Sequence, residues 1–277
     1  MSKRKSATVE TVTQAAGLRD PDASQIWCHI SDFHYNITHW PTYRAICSWI
    51  DTVRPDVIVA NGDMVDLGML SKYKQGEFDP LEAIEQVRMF VAETNWMRER
   101  CGRLIFQSGN HESRWSAVIG SSAAAGALKG AKGLTLEDQC RAWGLRDDVE
   151  WVEESTKYRG VRCGQFVIRH GHRQSGPHGG PKHLTANAIT KTMGASTAFG
   201  HHHRAAMTCQ TSLDRTAIAV ANPSCVLDQE YHPDSDHQLG FSLFELMAPD
   251  FKVATPHLII ALDGKFSHAG LTYDGNV

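Results

Sequence analysis

The chain has 277 residues, 42% of them hydrophobic and 21% charged, an ordinary balance for a globular protein with room for a sheet-based core. Its 28 basic and 31 acidic residues leave a net charge of −3, so it is no polycation, although a local basic patch would still suffice to engage nucleic acid. No apolar run approaches the ~20 residues that span a bilayer, and no membrane partner is expected. Residues 1–24 read as a weakly ordered leader ending at Asp20-Pro21-Asp22. Its basic start (Lys3, Arg4, Lys5) lacks a following apolar stretch, so a secretory signal is not expected.

Residues 26–31 then read as a short buried strand. The stretch 43–53 carries Ile46, Trp49, Ile50 and Val53 at helical spacing and stops at Arg54-Pro55. Val57-Ile58-Val59-Ala60 is a β-branched run, a second buried strand. Residues 81–97 form an amphipathic helix with Ile84, Val87, Val91 and the Trp96/Met97 pair near one face, and Leu104-Ile105-Phe106 a third strand. This order implies parallel strands joined by right-handed crossovers.

From 113 to about 148 the chain turns small and glycine-rich, a helical insertion beside whatever site the strand ends carry. A lid and a surface excursion are both open readings of it. The second half is richer in strand signals, at 161–170, 195–199, 205–211, 216–220, 241–246 and 256–261, with one helix over 182–192. A second sheet packed on the first, with helices outside, is the expected assembly, and without repeat or linker residues 25–277 read as one domain. The seven cysteines are odd in number, scattered and free of any Cys-x-x-Cys pair. That pattern fits reduced thiols in a cytoplasmic compartment rather than a structural zinc site, with Cys28 and Cys163 as small buried hydrophobes.

Five short pieces carry the chemistry: Asp32-Phe33-His34, Gly62-Asp63-Met64-Val65-Asp66, Gly109-Asn110-His111-Glu112, His170-Gly171-His172 and Gly200-His201-His202-His203. Each follows a hydrophobic strand, and the ends of parallel strands are where open α/β sheets place their sites. Carboxylate, imidazole and carboxamide together suit manganese, iron or zinc. Asp32 and His34 are two residues apart, so a regular strand would turn both to one face, and at its end they would converge on one ion. His201 and His203 repeat that spacing. Asp63, behind Gly62 at a tight strand end, is the natural carboxylate to bridge two ions.

The set resembles the calcineurin-like metallophosphoesterase superfamily, over residues 26–205. The stretch from Ala221-Asn222-Pro223-Ser224-Cys225 to Gln238-Leu239-Gly240-Phe241 also resembles phosphoesterases of bacteriophage and prophage genomes. The resemblance implies a four-layer αββα sandwich with two central mixed sheets. It implies two divalent ions, manganese first, with iron, zinc or nickel as alternatives. One ion would be held by Asp32, His34, Asp63 and His203, the other by Asp63, Asn110, His170 and His201. The family pattern places the fourth ligand before its glycine, which selects His170 over His172. Metal-bound hydroxide would attack phosphorus, with His111 as general acid. Asp66 and Glu112 fit as partners that orient imidazoles.

Arg114 and Arg173, just after metal motifs, are candidates to bind phosphate, and a solvated or structural role is the competing reading. His202 should point away from the ligands on either side of it. Trp115 and Trp143 are read as core packing in preference to stacking on a base or sugar. The expected substrate is a phosphoester, with nucleotides or single-stranded nucleic acid favoured and diester cleavage preferred. A phosphomonoesterase and a catalytically silent metal-binding scaffold are the alternatives. The expected location is the cytoplasm, the host's if a phage encodes the chain.

Overall fold

The computed structural model describes residues 24–71, 80–119, 133–153, 160–172, 185, 195–227 and 236–277. The expected leader (all but residue 24), the middle of the 113–148 stretch, the expected helix over 182–192 (all but Thr185) and Arg173 lie outside the described residues.

Strands β1 (Gln25–Ile30), β2 (Val57–Asn61) and β3 (Arg103–Gln107) are parallel neighbours, joined by helix α1 (Trp40–Val53) and helix α2 (Pro80–Arg98). A fourth parallel strand, β4 (Val149–Val152), extends them. The sequence gives no warning of β4, because four residues behind an irregular stretch carry too little periodicity. Strands β10 (Leu239–Leu246) and β11 (Ala254–Ala261) return from the second half of the chain to complete the sheet, in the order β11-β10-β1-β2-β3-β4.

The second sheet is built from β5 (Val161–Cys163), β6 (Phe166–Arg169), β7 (Ser196–Phe199), β8 (Ala206–Thr211) and β9 (Thr216–Ala221), ordered β5-β6-β7-β9-β8. The single strand expected over 161–170 is therefore two. Gly164, at φ +55, turns the chain so that Cys163 pairs with Phe166 across a tight hairpin. A C-terminal hairpin of β12 (Lys265–His268) and β13 (Leu271–Asp274), also unanticipated, lies against α1.

Both helices start earlier than the apolar spacing suggests. In α1 the His39 ring accepts from the Thr42 amide and Pro41 sits in the first turn, so the cap sets the start before the first buried residue. The buried stripe of α2 is Ala83, Gln86, Val87, Phe90, Val91, Thr94 and Met97. Ile84 and Trp96, expected on that face, are half-buried at its flanks. Polar Gln86 belongs inside because its Oε1 accepts from the Leu67 amide at 2.8 Å.

Strand alternation builds the core. Trp27, Val57, Val59 and Ile105 meet Phe166, Ile168, Ala198 and Val220 between the sheets. The alternate residues Cys28, Ile30, Ile58, Ala60, Leu104 and Phe106 pack under the helices with Ile46, Trp49, Val87 and Phe90. A smaller cluster of Phe199, Ala217, Ala219 and Ala221 holds together on the second sheet. The result is a mixed α/β sandwich with two large mixed sheets. Because β1, β2 and β3 are parallel in one sheet and β6 and β7 in the other, the five motif segments follow strand ends that meet at one edge.

Candidate metal centre

At that edge the backbone leaves regular strand geometry, which corrects the simple two-residue alternation expected for the ligands. Asp32, His34, Asp63, His201 and His203 all have positive φ, from 45 to 69°. Such a conformation costs a non-glycine residue ~1–3 kcal/mol and persists where the surroundings enforce it. Here short loops curl each side chain back over the strand ends. Gly62 continues the curl at φ +78, and a Cβ there would lie 2.6 Å from His170 Nδ1.

The strained turn around Asp63 is held by Glu112. Its buried carboxylate accepts from the amides of Asp63 (2.9 Å), Met64 (2.9 Å), Val65 (3.3 Å) and Gly109 (2.7 Å). Glu112 therefore fixes backbone, and the expectation that it orients an imidazole is corrected. Burial and the Asp63 charge push its carboxyl pKa up. Asp66 does approach imidazoles, with Oδ1 3.3 Å from His34 Nδ1 and 3.1 Å from His111 Nδ1. Burial opposes the charge on Asp66, but those two rings outweigh it and hold the carboxyl well below the usual range.

The seven residues expected to bind metal gather in one place. Asp63 Oδ2 lies 3.0 Å from His170 Nε2, 3.8 Å from His111 Nε2 and 4.0 Å from His201 Nδ1. Asp32 Oδ1 is 3.3 Å from His203 Nε2, and the Asp32 carboxylate also accepts from the His201 amide at 2.9 Å. Asn110 Oδ1 is 3.1 Å from His170 Nε2. Three overlapping groups have donor atoms close enough to share an ion: Asp32, His34 and His203; Asp63, His170 and His201; and His34, Asp63 and His111. The last brings in His111, which the sequence reading reserved for acid chemistry alone.

Two features fit this edge to divalent cations. Among the described residues, His34 Nε2 and His201 Nδ1 are buried without a hydrogen-bond partner, a costly state for a polar atom that a ligated cation relieves. Glycine also clears the space: a Cβ on Gly200 would come within 2.5 Å of Asp32 Oδ2. The charge pattern agrees. Burial opposes ionisation of Asp32 and Asp63, yet facing imidazoles (His203 for Asp32, His111 and His170 for Asp63) hold both well below the usual carboxylate range. Burial lowers His34 to about 4, helped by His111, so its ring stays neutral and able to donate a lone pair. Burial works the other way on His170, but the Asp63 carboxylate prevails and lifts it to about 10.

His111 is buried beside His34, with ring centroids 4.5 Å apart. Its Nδ1 is 2.7 Å from the Asp66 carbonyl and its Nε2 is 3.0 Å from Arg114 Nη2, while Arg114 Nη1 donates to the same carbonyl at 2.8 Å. Burial lowers the His111 pKa, and the charges of Asp63 and Asp66 more than reverse this. The His202 ring lies 4.9 Å from that of His201 and 6.1 Å from that of Phe199, so it does not turn away from the ligands as expected, and burial lowers it to about 3. Trp115 packs against the core with Nε1 donating to the Leu134 carbonyl, and Arg88 lies over the Trp143 ring at 4.6 Å.

Residues that the motifs did not single out support the centre from behind. His170 Nδ1 is 2.8 Å from the Asn61 carbonyl. Asn61 Nδ2 reaches His29 Nε2 at 2.8 Å, His29 Nδ1 meets Ser242 Oγ, Ser242 donates to Asn222 and Asn222 to Ser31. This buried chain ties β1, β2 and β10 to the segment after β9. No local spacing announces it, since its members meet only through sheet pairing.

Residues 28–205 match the family model described as calcineurin-like phosphoesterase. No curated protein matches the chain. Among solved structures it is similar to a single mutant of Vps29 from Entamoeba histolytica, at 13% identity and TM-score 0.44, covering 90% of this chain and 98% of that one. Vps29 from Cryptosporidium parvum is similar at 13% identity and TM-score 0.44, covering 91% of this chain and 100% of that one. Wild-type Vps29 from Entamoeba histolytica complexed with zinc is similar at 14% identity and TM-score 0.41, with 91% and 99% covered.

Proposed function

Because this chain belongs to the calcineurin-like phosphoesterase family and is a metal-dependent phosphoester hydrolase, we propose that it cleaves phosphodiesters of nucleotides or single-stranded nucleic acid at a two-ion centre. The observation that carries the reading is the convergence on Asp63 Oδ2 of His111, His170 and His201 from three separate strand ends. Asp32, His34, Asp63 and His203 would hold one ion, and Asp63, Asn110, His170 and His201 the other, with manganese as the favoured metal. When bound, the ions supply Lewis acidity at the phosphoryl oxygens and acidify water for attack on phosphorus.

The remaining work falls to side chains. Asp66 holds His111 by its Nδ1 side, and the carboxylates of Asp66 and Asp63 keep a proton on the ring. Arg114, already pointed at His111 Nε2, is placed to turn its guanidinium to a phosphate oxygen, freeing Nε2 to protonate the leaving oxygen. The modest net charge of −3 suits a small nucleotide or a single-stranded end better than duplex, whose binding relies on several phosphate contacts. Resemblance to phage phosphoesterases around residues 221–241 supports the same substrate class.

The test is paired hydrolysis of bis-p-nitrophenyl phosphate and p-nitrophenyl phosphate with Mn²⁺, using metal-stripped protein as the blank. Faster diester cleavage is expected, and a monoester preference would replace the diesterase reading with a phosphatase one. In the same assay His111→Ala should lose ~10²–10⁴-fold while keeping its metal. Full activity in that variant would remove His111 as the acid.

A further inference from the structure

We propose that His237 is a positioning residue for His203: it receives the Nδ1 proton of His203 and so leaves the Nε2 lone pair facing Asp32 and a cation. This rests on the reading of His203 as a metal ligand. The two nitrogens of His203 face opposite partners. Nε2 is 3.3 Å from Asp32 Oδ1, and Nδ1 is 3.3 Å from His237 Nδ1, with the ring centroids 4.4 Å apart and tilted by 61°. A proton shared between the two Nδ1 atoms decides what Nε2 can do. If His203 donates it, Nε2 is a bare lone pair; if His237 donates it, the Nε2 of a neutral His203 carries the hydrogen and meets Asp32 as a donor.

His237 is held to this task by the segment around it. Arg204 Nε donates to Asp236 Oδ1 at 2.6 Å, the Gln238 amide donates to the His203 carbonyl at 2.8 Å, and Gln238 Oε1 accepts from the Ala205 amide at 2.6 Å. Residues 236–238 are thus clipped to 203–205 on both sides of the imidazole pair. The comparable outer nitrogens of His34 and His170 face oxygen, from Asp66 and from the Asn61 carbonyl. Oxygen only accepts. An imidazole partner both donates and accepts, so His237 suits His203 with Nε2 protonated in the empty site and with Nε2 bare once an ion enters.

The experiment titrates Mn²⁺ into metal-stripped wild type, His237→Leu and His237→Asn, with thermal unfolding of the metal-free proteins as the control for folding. His237→Leu should weaken one of two Mn²⁺ sites by ~10–100-fold and leave the other unchanged. His237→Asn, which keeps an acceptor and a donor, should recover most of that loss. In zinc-loaded wild type, ¹⁵N-edited NMR should find the His203 hydrogen on Nδ1. Wild-type affinity in the Leu variant, or equal losses in Leu and Asn variants, would each overturn the proposal while leaving the metal centre in place, whereas a His203 hydrogen on Nε2 in the zinc form would remove His203 as a ligand and the proposal with it. Failure of wild type to bind Mn²⁺ would overturn both together.

Discussion

Asp32, His34 and His203 lie wholly inside the molecule, whereas the adjoining group of Asp63, His170 and His201 opens at His201, whose side chain is 27% exposed. The two groups are also held differently. In the enclosed one, side chains set the rings: Asp66 beside His34, His237 beside His203. In the open one, His170 is fixed by a backbone carbonyl at the end of β2. The enclosed half is therefore tuned by residues that substitution can change, and the open half by the sheet itself.

Asp63 is the test of whether the halves act together, because its carboxylate belongs to groups on both sides. Asp63→Asn should strip Mn²⁺ from both positions and drop hydrolysis to the metal-free background. Asp32→Asn should cost one ion. Metal analysis of dialysed protein, read beside the diester assay, measures both. Hydrolysis at the wild-type rate in Asp63→Asn would sink the assignment of this centre.

The next effect is on stability. Glu112 accepts four buried backbone amides, and leaving one such group unpaired costs ~1–3 kcal/mol. Even with relaxation, Glu112→Ala should lose about 3 kcal/mol or more, seen as a lower urea midpoint in metal-free protein. The open half should suffer first, since Gly109 and Asp63 are what Glu112 ties together. A midpoint within error of wild type would mean that the turn holds itself.

Glu112 also marks the limit of what the sequence conveys. The ligands were legible because each stands just past a short apolar run, and Val57-Ile58-Val59-Ala60 or Leu104-Ile105-Phe106 can be little else than buried strand. The parallel order of β1, β2 and β3 followed from the helical spacing between them. What Glu112 binds was not legible, because a carboxylate beside a ligand reads the same whether it faces an imidazole or a turn. The positive φ values of Asp32, His34, Asp63, His201 and His203 were hidden for a related reason: glycine announces that geometry and aspartate or histidine do not. His237 was out of reach because its partner lies 34 residues away and the contact exists only after the sheets pair.

The pH dependence of the metal-free protein separates the halves by sign. In the open half His170 is raised to about 10, so the folded state keeps a proton that the unfolded chain releases near 6.5. That stability is fully present below 6.5 and drains as pH rises towards 10. In the enclosed half burial lowers His34 to about 4, and behind the centre it lowers His29 to about 3, so the unfolded chain gains protons that the folded state refuses below 6.5. Stability therefore falls on the acid side too. Thermal unfolding of stripped protein should be highest near pH 6.5, and His170→Gln should flatten the limb between 6.5 and 9. A limb unchanged by that substitution would assign the loss to other groups.

The smallest effect is one of timing. With two ions bound as proposed, one in the open half would be reached through His201 without disturbing the fold, whereas one in the enclosed half would leave only when a covering segment opened. Chelator added to protein loaded with two ions should then release them in two phases of equal amplitude. The clip between 203–205 and 236–238 lies against His203 of the enclosed half, so Arg204→Ala, which removes the pairing with Asp236, should quicken the slow phase and spare the fast one. His201→Ala should do the reverse. A single phase carrying both ions would mean that the two halves exchange with solvent as one, and that the difference in their burial has no bearing on how metal is held.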